Sequence, residues 1–431
     1  MNGYEPVRRR EIVAWAMFDF ANSGFTTVVL TAIFNAYFVS VIAGQIVSNG
    51  NAATLLWTIT TSIAYLMVLA SAPVIGAIAD YGAHKKRFLV ITSLACIGFT
   101  VLLATAREGD IALAVFGVIM ATFMFAAGES LISAFLPELV PPEKMGRISG
   151  YGWAVGYLGG LLVLALCLVY IESAKLRGLG ANHYVSVSLM ITAASFLVGA
   201  LPSYLWLRER AQAGPPLALS AYVRTGFFRL GQTMKHVRHY RDLFRFLIIL
   251  AIFYCGIYIV VTLAAVYAQQ VMGFDTVDNI KLILVVNITA AVGAFAFGHI
   301  QDRLGSIQTL ALTLLLWIAA LVIAYYTHDR VTFWIAANII GVAMGSSQSA
   351  GRALVGQFSP ASHSAEFFGL WSMATKLAAV VGPLSYGAVT YITGDHRQAI
   401  LVTTGFFVAG LLLLFTIDEQ RGRQAATKTF A

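Results

Sequence analysis

The sequence predicts an all-α membrane protein of twelve transmembrane helices, arranged as two six-helix bundles related by pseudo-twofold symmetry. Of its 431 residues, 59% are hydrophobic and only 11% are charged, whereas a soluble domain has roughly 45–50% apolar and roughly 25% charged residues. This composition cannot provide a water-facing exterior, which excludes a soluble enzyme. At roughly 20 apolar residues per membrane-spanning helix, the apolar content suffices for about twelve spans.

The positions of the spans follow from long apolar runs that are bounded by charge, glycine or proline. The runs lie near residues 13–42, 54–79, 88–106, 111–135, 148–171, 185–207, 244–270, 280–301, 307–327, 331–352, 367–392 and 398–417. One long polar stretch interrupts them and divides the chain. We therefore expect an N-terminal six-helix bundle over residues 1–207, a central loop over 208–243, and a C-terminal bundle with a short tail over 244–431.

The distribution of basic residues predicts the orientation in the membrane. If both termini are cytoplasmic, 20 of the 28 Lys and Arg residues lie on the cytoplasmic side, as the positive-inside rule requires. We expect a multi-pass protein of the cell's inner (plasma) membrane, with both termini and the central loop in the cytoplasm. The same loops account for the net charge of +8, so no nucleic-acid partner is implied. The expected partners are the lipid bilayer and a small-molecule solute, and we expect a monomer.

The sequence offers no recognisable cofactor or metal site. Cys96, Cys167 and Cys255 each stand alone in an apolar run, without a CxxC pair or a histidine at metal-ligand spacing. An integral-membrane enzyme acting on lipids is the alternative from a different class. It is disfavoured because DDxxD, HxxxxD and HExxH motifs are missing and the loops between spans are short. We therefore expect no enzyme activity, no cofactor and no metal.

A turn motif recurs in the two halves of the chain. Gly76 and Asp80 follow span two, and Gly298 and Asp302, with Arg303, follow span eight about 222 residues later. Both turns resemble the GxxxD[RK]xG[RK][RK] loop of the major facilitator superfamily. An aspartate at a helix C-terminus is disfavoured by the helix dipole and needs a partner, such as another helix's N-terminus or an arginine. These residues are therefore candidates for a conformational latch, the alternative being an ordinary charged turn.

Two further stretches resemble a narrower group, the vacuole-effluxer-like branch of that superfamily, which is related to a fungal vacuolar amino-acid effluxer. They are FDFANSGF at residues 18–25, and LPEL at 136–139 followed by GRISGYGWAVGYLGG at 146–160. The resemblance extends over the twelve-span plan. It implies secondary transport by alternating access, with amino acids as one substrate class.

Charged residues inside spans are candidates for the substrate site, because burying a charge near the bilayer centre is costly. Lys376 lies about nine residues into span eleven, roughly 14 Å deep. Asp19 lies in span one and shares a helical face with Asn22, and Glu129 lies near the inner end of span four. The alternatives are a structural interhelical ion pair for Lys376 and pairing with Arg147 for Asp19.

Three uncharged polar residues complete the predicted substrate site. Tyr254 and Tyr258 lie one turn apart in span seven, and Gln348 lies in a polar stretch of span ten. The alternative for the tyrosines is packing or anchoring alone. Arg352, in the same part of span ten, either belongs to the site or extends its side chain to the inner interface.

Opposed charges indicate the kind of solute. A cationic Lys376 in the C-terminal bundle and the carboxylates Asp19 and Glu129 in the N-terminal bundle suit a zwitterion, such as an amino acid. An exporter of organic anions or drugs would need fewer opposed charges and is the alternative within transport. Asp19 is the first candidate for proton coupling and Glu129 the second, since a carboxylate in an apolar cavity can load and release a proton.

Overall fold

The computed structural model describes residues 6–44, 50–211, 213–215 and 219–427, and this part of the chain is helical without strands. Twelve long helices, here α1 to α12 in chain order, are its main elements. They run over Arg9–Ile42, Gly50–Gly82, Lys85–Leu103, Ile111–Ser133, Met145–Leu176, Ala181–Trp206, Arg241–Met272, Thr276–Leu304, Ser306–Tyr326, Arg330–Phe358, Ser364–Thr393 and His396–Leu414. The predicted twelve-helix fold is confirmed.

Eleven of the described helices are long and apolar enough to cross a membrane. Helix α10, with 29 residues, has the length but carries a polar stretch at residues 346–349 and the charged Arg352. Ser346, Ser347, Ser349 and Arg352 are buried inside the protein, and Gln348 is partly exposed. Polar groups are tolerated at membrane depth when they face other helices rather than lipid, so the buried polar stretch is compatible with a membrane-spanning α10.

The first helix is not a regular α-helix along its whole length. Two π-helical stretches, Thr26–Ala32 and Phe38–Ile42, interrupt α1 beyond its first 17 residues. The hydroxyl of Thr27 donates to the carbonyl of Ser23, and the hydroxyl of Thr31 donates to that of Thr27. Side chains that bind backbone carbonyls in this way compete with the main-chain ladder and loosen it.

The two bundles meet along α2 and α11 and along α5 and α8. These contacts exchange under the pseudo-twofold symmetry, which relates α2 to α8 and α5 to α11. Glycines allow the backbones to approach closely. A methyl group at Gly76 would lie 2.0 Å from the carbonyl oxygen of Ala365, and one at Gly298 would lie 2.8 Å from that of Gly146. Main chain therefore packs directly against main chain at both interfaces.

A further helix lies between the bundles, within the stretch predicted as the central loop. It spans Leu219–Lys235 and is called the linker helix below. Its apolar residues cover only part of its circumference, so a search for long apolar runs does not detect it. Helix α7 begins at Arg241, three residues before the predicted boundary. Because six long helices precede the linker helix and twelve lie between residues 6 and 427, these two residues and the linker helix lie on one side of the membrane, here called the terminal side.

Candidate functional site

Lys376 of α11 forms an ion pair with Glu129 of α4, and the pair joins the two bundles. The Nζ–Oε2 distance is 3.0 Å. The ammonium group also lies 6.0 Å from the ring centre of Tyr65 and 5.8 Å from that of Phe125, within the range of a cation–π interaction. The Lys376 side chain is 7% exposed and that of Glu129 is 20% exposed. The carboxylate is therefore the more accessible partner.

Asp19 of α1 forms the second ion pair between the bundles, with Arg352 of α10. Its Oδ2 lies 2.8 Å from Arg352 Nη1. The guanidinium group lies between two indoles, 4.6 Å from the ring centre of Trp15 and 5.4 Å from that of Trp153. Arg352 also donates to the hydroxyl and carbonyl oxygens of Ser149 at 3.1 and 3.0 Å.

These contacts identify the partner of each charge in the described conformation. Lys376 pairs with a carboxylate of the protein. Asp19 pairs with Arg352 and not with Arg147, whose guanidinium lies near Asp302. Arg352 is 2% exposed and does not extend to the membrane interface. In both pairs the carboxylate lies on the N-terminal bundle and the cation on the C-terminal bundle. The two pairs together carry no net charge.

The predicted tyrosines and glutamine lie around these ion pairs. Tyr258 lies beside the ammonium of Lys376, and its ring centre is 6.1 Å from that of Tyr254 on the preceding turn. Tyr157 donates a hydrogen bond to Gln348 Oε1, which links α5 to α10. Tyr254 lies close to Tyr157 and to one member of each ion pair. The structure therefore brings six of the seven predicted substrate residues into one cluster.

The seventh residue, Asn22, is buried one turn beyond Asp19 on the same face of α1. Its Oδ1 atom has no hydrogen-bond partner among the described residues, and neither do the Tyr254 hydroxyl and Trp153 Nε1. An unsatisfied buried polar group is costly. Groups of this kind near two ion pairs offer hydrogen bonds to a polar solute.

Five aromatic members of the cluster were not predicted. They are Trp15, Tyr65, Phe125, Trp153 and Tyr157. Aromatic side chains are common in membrane helices, so their types alone carry no signal. Only the spacing of Trp153 and Tyr157, one helical turn apart on the helix that also carries Ser149, could have indicated a shared face.

The first predicted latch residue, Asp80, contacts the opposite bundle. Its carboxylate accepts hydrogen bonds from the backbone N–H groups of Ala365 and Glu366, at 3.1 and 2.8 Å. These groups belong to the first turn of α11, where the helix dipole favours an anion. Lys85 lies 3.6 Å from the same carboxylate and also contacts Glu138. The contact with Gly76 described above lies one turn away.

The second predicted latch residue, Asp302, makes an equivalent contact on the symmetry-related helices. Asp302 Oδ1 accepts a hydrogen bond from the backbone N–H of Arg147 at 3.3 Å, in the first turn of α5. Arg147 Nε lies 3.6 Å from the carboxylate. Arg303 was also predicted to belong to the latch, but it is exposed and makes no hydrogen bond or ion pair with the described residues. Arg147 supplies the charge instead.

These polar contacts between the bundles lie toward the terminal side. The most deeply placed involve Lys376 and Tyr157, each twelve residues from the start of its helix, or about 18 Å at ~1.5 Å per residue. Both helices continue for about another 27 Å beyond that depth. The described conformation is therefore held closed on the terminal side.

Comparison with known proteins agrees with this architecture. The model of the family described as vacuole effluxer Atg22 like matches residues 7–427. An uncharacterized MFS-type transporter of Bacillus subtilis strain 168, YxiO, is 26% identical over 412 residues, which cover 94% of each protein. Autophagy-related protein 22-1 of Aspergillus niger is 24% identical over 308 residues. That match covers 65% of this chain but only 48% of the fungal protein, so the chain spans about half of its length.

Solved structures share the fold at low sequence identity. The human organic anion transporter MFSD10 superposes with a TM-score of 0.73 at 15% identity, over 95% of this chain and all of that one. The Escherichia coli fucose:proton symporter FucP gives a TM-score of 0.67 at 15% identity, over 94% of this chain and 98% of its own. With the two-bundle architecture and the paired aspartate contacts, the match of nearly the whole sequence to one family model identifies the group. The chain belongs to the vacuole effluxer Atg22-like family of MFS transporters.

Proposed function

We propose that this protein is a secondary transporter that moves a small zwitterionic solute, an amino acid or a close relative, by alternating access. One observation carries the proposal: two ion pairs connect the bundles, each with its carboxylate on the N-terminal bundle and its cation on the C-terminal bundle. A site with no net charge suits a solute with no net charge. A zwitterion can replace both partners of a pair at once, since its carboxylate fits the cation and its ammonium fits the carboxylate.

The Lys376–Glu129 pair is the proposed point of exchange. The solute carboxylate would bind Lys376 and its ammonium would bind Glu129, so the direct link between α11 and α4 would be replaced by a link through the solute. Neither charge would then be left unpaired. An unpaired charge in a buried setting costs several kcal/mol. The hydroxyls of Tyr254 and Tyr258 would contact the remaining polar groups of the solute.

Alternating access would follow from the position of this site relative to the latches. Asp80 and Asp302 hold the bundles together on the terminal side. We propose that this side is the cytoplasm and that the protein resides in the plasma membrane, as the distribution of basic residues indicates. The described conformation would then be closed toward the cytoplasm, and rocking of the bundles would break both latches.

Proton coupling is proposed to use Asp19 and Glu129. Each carboxylate holds a cation of the opposite bundle. Protonation would remove the charge and weaken the link, so that proton uptake and rocking of the bundles become connected.

An uptake and efflux assay in proteoliposomes tests the proposal. Amino acids, peptides and organic anions are offered with and without an imposed pH gradient. We expect uptake of one or more amino acids, lost in the Lys376→Gln variant and retained in the Lys281→Gln variant, which changes an exposed lysine of α8. Failure of every zwitterion to be transported by folded protein would contradict the proposal.

A second candidate function, export of organic anions, is favoured by the setting of Arg352. A guanidinium between two indoles could bind an aromatic carboxylate. Such a solute would have to displace Asp19 and would leave that carboxylate without a partner. Binding to purified protein distinguishes the candidates: an organic anion lacking an ammonium group would bind the Glu129→Gln variant as well as the parent, whereas a zwitterion would bind only the parent.

A further inference from the structure

The outer face of the linker helix is apolar at its centre and basic at its ends. Phe227 and Phe228 are 59% and 64% exposed, and Met234 is 50% exposed. Arg224 and Lys235 are exposed at the two ends of the same face. Phe227, Phe228 and Lys235 lie three, four and eleven residues after Arg224, and Met234 lies seven residues after Phe227. This is the spacing of one side of an α-helix. The helix carries no acidic residue among positions 219–235.

The opposite face of the linker helix packs on the flank of α2. Gly226 lies so close that an added methyl group would be 2.7 Å from Ile78 and 3.3 Å from Val74. Tyr222 meets the ring of Tyr81 edge to face. Val74 lies eight residues before the end of α2, or about 12 Å into that membrane helix. The linker helix therefore lies beside the membrane helices and not beneath their ends.

The flank of α2 that it covers is a continuation of a lipid-facing stripe. Ile63, Leu66 and Ala70 are exposed apolar residues on one side of α2. Val74 is the next residue on that side and is buried under the linker helix. A helix that covers the end of a lipid-facing stripe turns its own outer face toward lipid. At this depth that lipid is the interfacial region of the bilayer.

We infer that the linker helix is an interfacial membrane-binding element whose outer face inserts Phe227, Phe228 and Met234 into the adjacent leaflet. Arg224 and Lys235 then bind the head groups of anionic phospholipids. The occupant follows from the basic charge and from the continuity with the lipid-facing surface of α2. This inference does not depend on the identity of the transported solute.

The placement of the helix connects lipid binding to the latch. Arg229 stacks over Tyr81 at 5.9 Å from the ring centre and donates to the carbonyl of Ser362 at 3.5 Å. Thr233 lies beside the carboxylate of Glu366, whose backbone N–H binds Asp80. The linker helix thus touches α2 and the start of α11 at once. Anionic lipid that holds the helix in place should favour the closed terminal side.

A fluorescent label at position 231 tests the location of this face. Gly231 is exposed, and an added Cβ there meets no atom within 4 Å, so a Gly231→Cys variant accepts a label. The native cysteines are buried. The full chain is placed in nanodiscs of phosphatidylcholine alone or with phosphatidylglycerol, each with a brominated-chain version. We expect quenching by brominated chains, and stronger quenching when phosphatidylglycerol is present. Quenching only by aqueous iodide would overturn the inference.

Two sets of variants separate the apolar and the charged contributions. Phe227→Ser with Phe228→Ser should abolish quenching by brominated chains. Arg224→Gln with Lys235→Gln should abolish the response to phosphatidylglycerol, because each charge at an anionic surface contributes roughly five-fold to binding. The control is Phe415→Ser, which changes an exposed aromatic residue just beyond α12.

The same nanodiscs test the connection to the latch. The ratio of molecules that are closed on the terminal side to molecules that are open there is measured from the distances between spin labels on the two bundles. We expect phosphatidylglycerol to raise this ratio several-fold in the parent and in the Phe415→Ser control, and not in the Arg224→Gln, Lys235→Gln variant. An equal ratio in both lipids for the parent would overturn the regulatory part of the inference. Equal quenching in both lipids would overturn the preference for anionic lipid.

Discussion

Glu209 and Glu419 occupy equivalent positions and make equivalent contacts, one in each bundle. Glu209 follows α6 and accepts hydrogen bonds from the first backbone N–H groups of α3, at 2.9 and 3.1 Å. Glu419 follows α12 and accepts them from the first two N–H groups of α9, at 3.0 to 3.1 Å. Each carboxylate thus caps the N-terminus of the third helix of its bundle, where the helix dipole favours a negative charge.

A Glu419→Gln variant should be less stable than the parent. The variant removes the negative charge of the carboxylate that caps the N-terminus of α9 and pairs with Arg423. Caps of this kind contribute roughly 1 kcal/mol to stability. Thermal unfolding of purified protein in detergent measures the effect. Gln420→Ala, at an exposed neighbouring position, is the control. Equal unfolding temperatures for Glu419→Gln and the control would show that the cap contributes nothing.

An Asp80→Ala variant should open the terminal side more often while leaving the substrate site intact. The carboxylate binds two backbone N–H groups of the opposite bundle, and the variant removes both bonds. Spin labels on the two bundles report the opening, and solute affinity is measured in parallel. The exposed Glu143→Ala variant on the same side is the control. An unchanged distance distribution would contradict the latch.

Exchanging the charges of the central pair distinguishes a substrate site from a structural contact. Glu129→Gln leaves the buried charge of Lys376 unpaired, which costs about 3–5 kcal/mol. Lys376→Gln leaves the partly exposed Glu129 without its cation. The double variant Glu129→Lys with Lys376→Glu restores a pair and should restore stability. We expect it to insert and fold but not to transport the solute. The ammonium group would then lie on the N-terminal bundle and the carboxylate on the C-terminal bundle, the reverse of the parent. Transport at the parental rate would mean that the pair is only structural.

An Asp19→Asn variant should uncouple transport from the proton gradient. Solute exchange should continue, because Arg352 keeps its hydrogen bonds to Ser149, whereas accumulation driven by a pH gradient should be lost. The control is Asp278→Asn, a carboxylate that pairs with Arg330 at 3.0 Å on the other side of the membrane. Gradient-driven accumulation that survives in both the Asp19→Asn and Glu129→Gln variants, or dependence on sodium alone, would remove these carboxylates from coupling.

The orientation can be tested by labelling single cysteines in intact cells. Cysteines introduced at Ala213 and Thr427, both exposed on the terminal side, should not react with an impermeant reagent. A cysteine at Leu176, which is 90% exposed at the other end of α5, should react strongly and serves as the positive control. Labelling at Ala213 or Thr427 before lysis would place the terminal side outside the cell.

The sequence predicted the helices and the charged members of the site for the same reason. Long apolar runs define spans, and against that background an intramembrane charge such as Lys376 or Asp19 is conspicuous. The pairing of Asp19 with Arg352 was less predictable, because the two residues lie in different bundles and only folding brings them together. The linker helix was missed because it is apolar on one side only, unlike the membrane-spanning runs.

The direct contact of main chain with main chain at Gly76 has a consequence for how the protein switches. Dispersion attraction between packed backbones declines within an ångström or two of separation, and the hydrogen bonds of Asp80 one turn away have an equally short range. Neither contact can be stretched gradually. Opening of this interface should therefore be an all-or-none event with few intermediate positions, so that a small change in binding energy produces a change in the time spent open and not a change in the width of the opening.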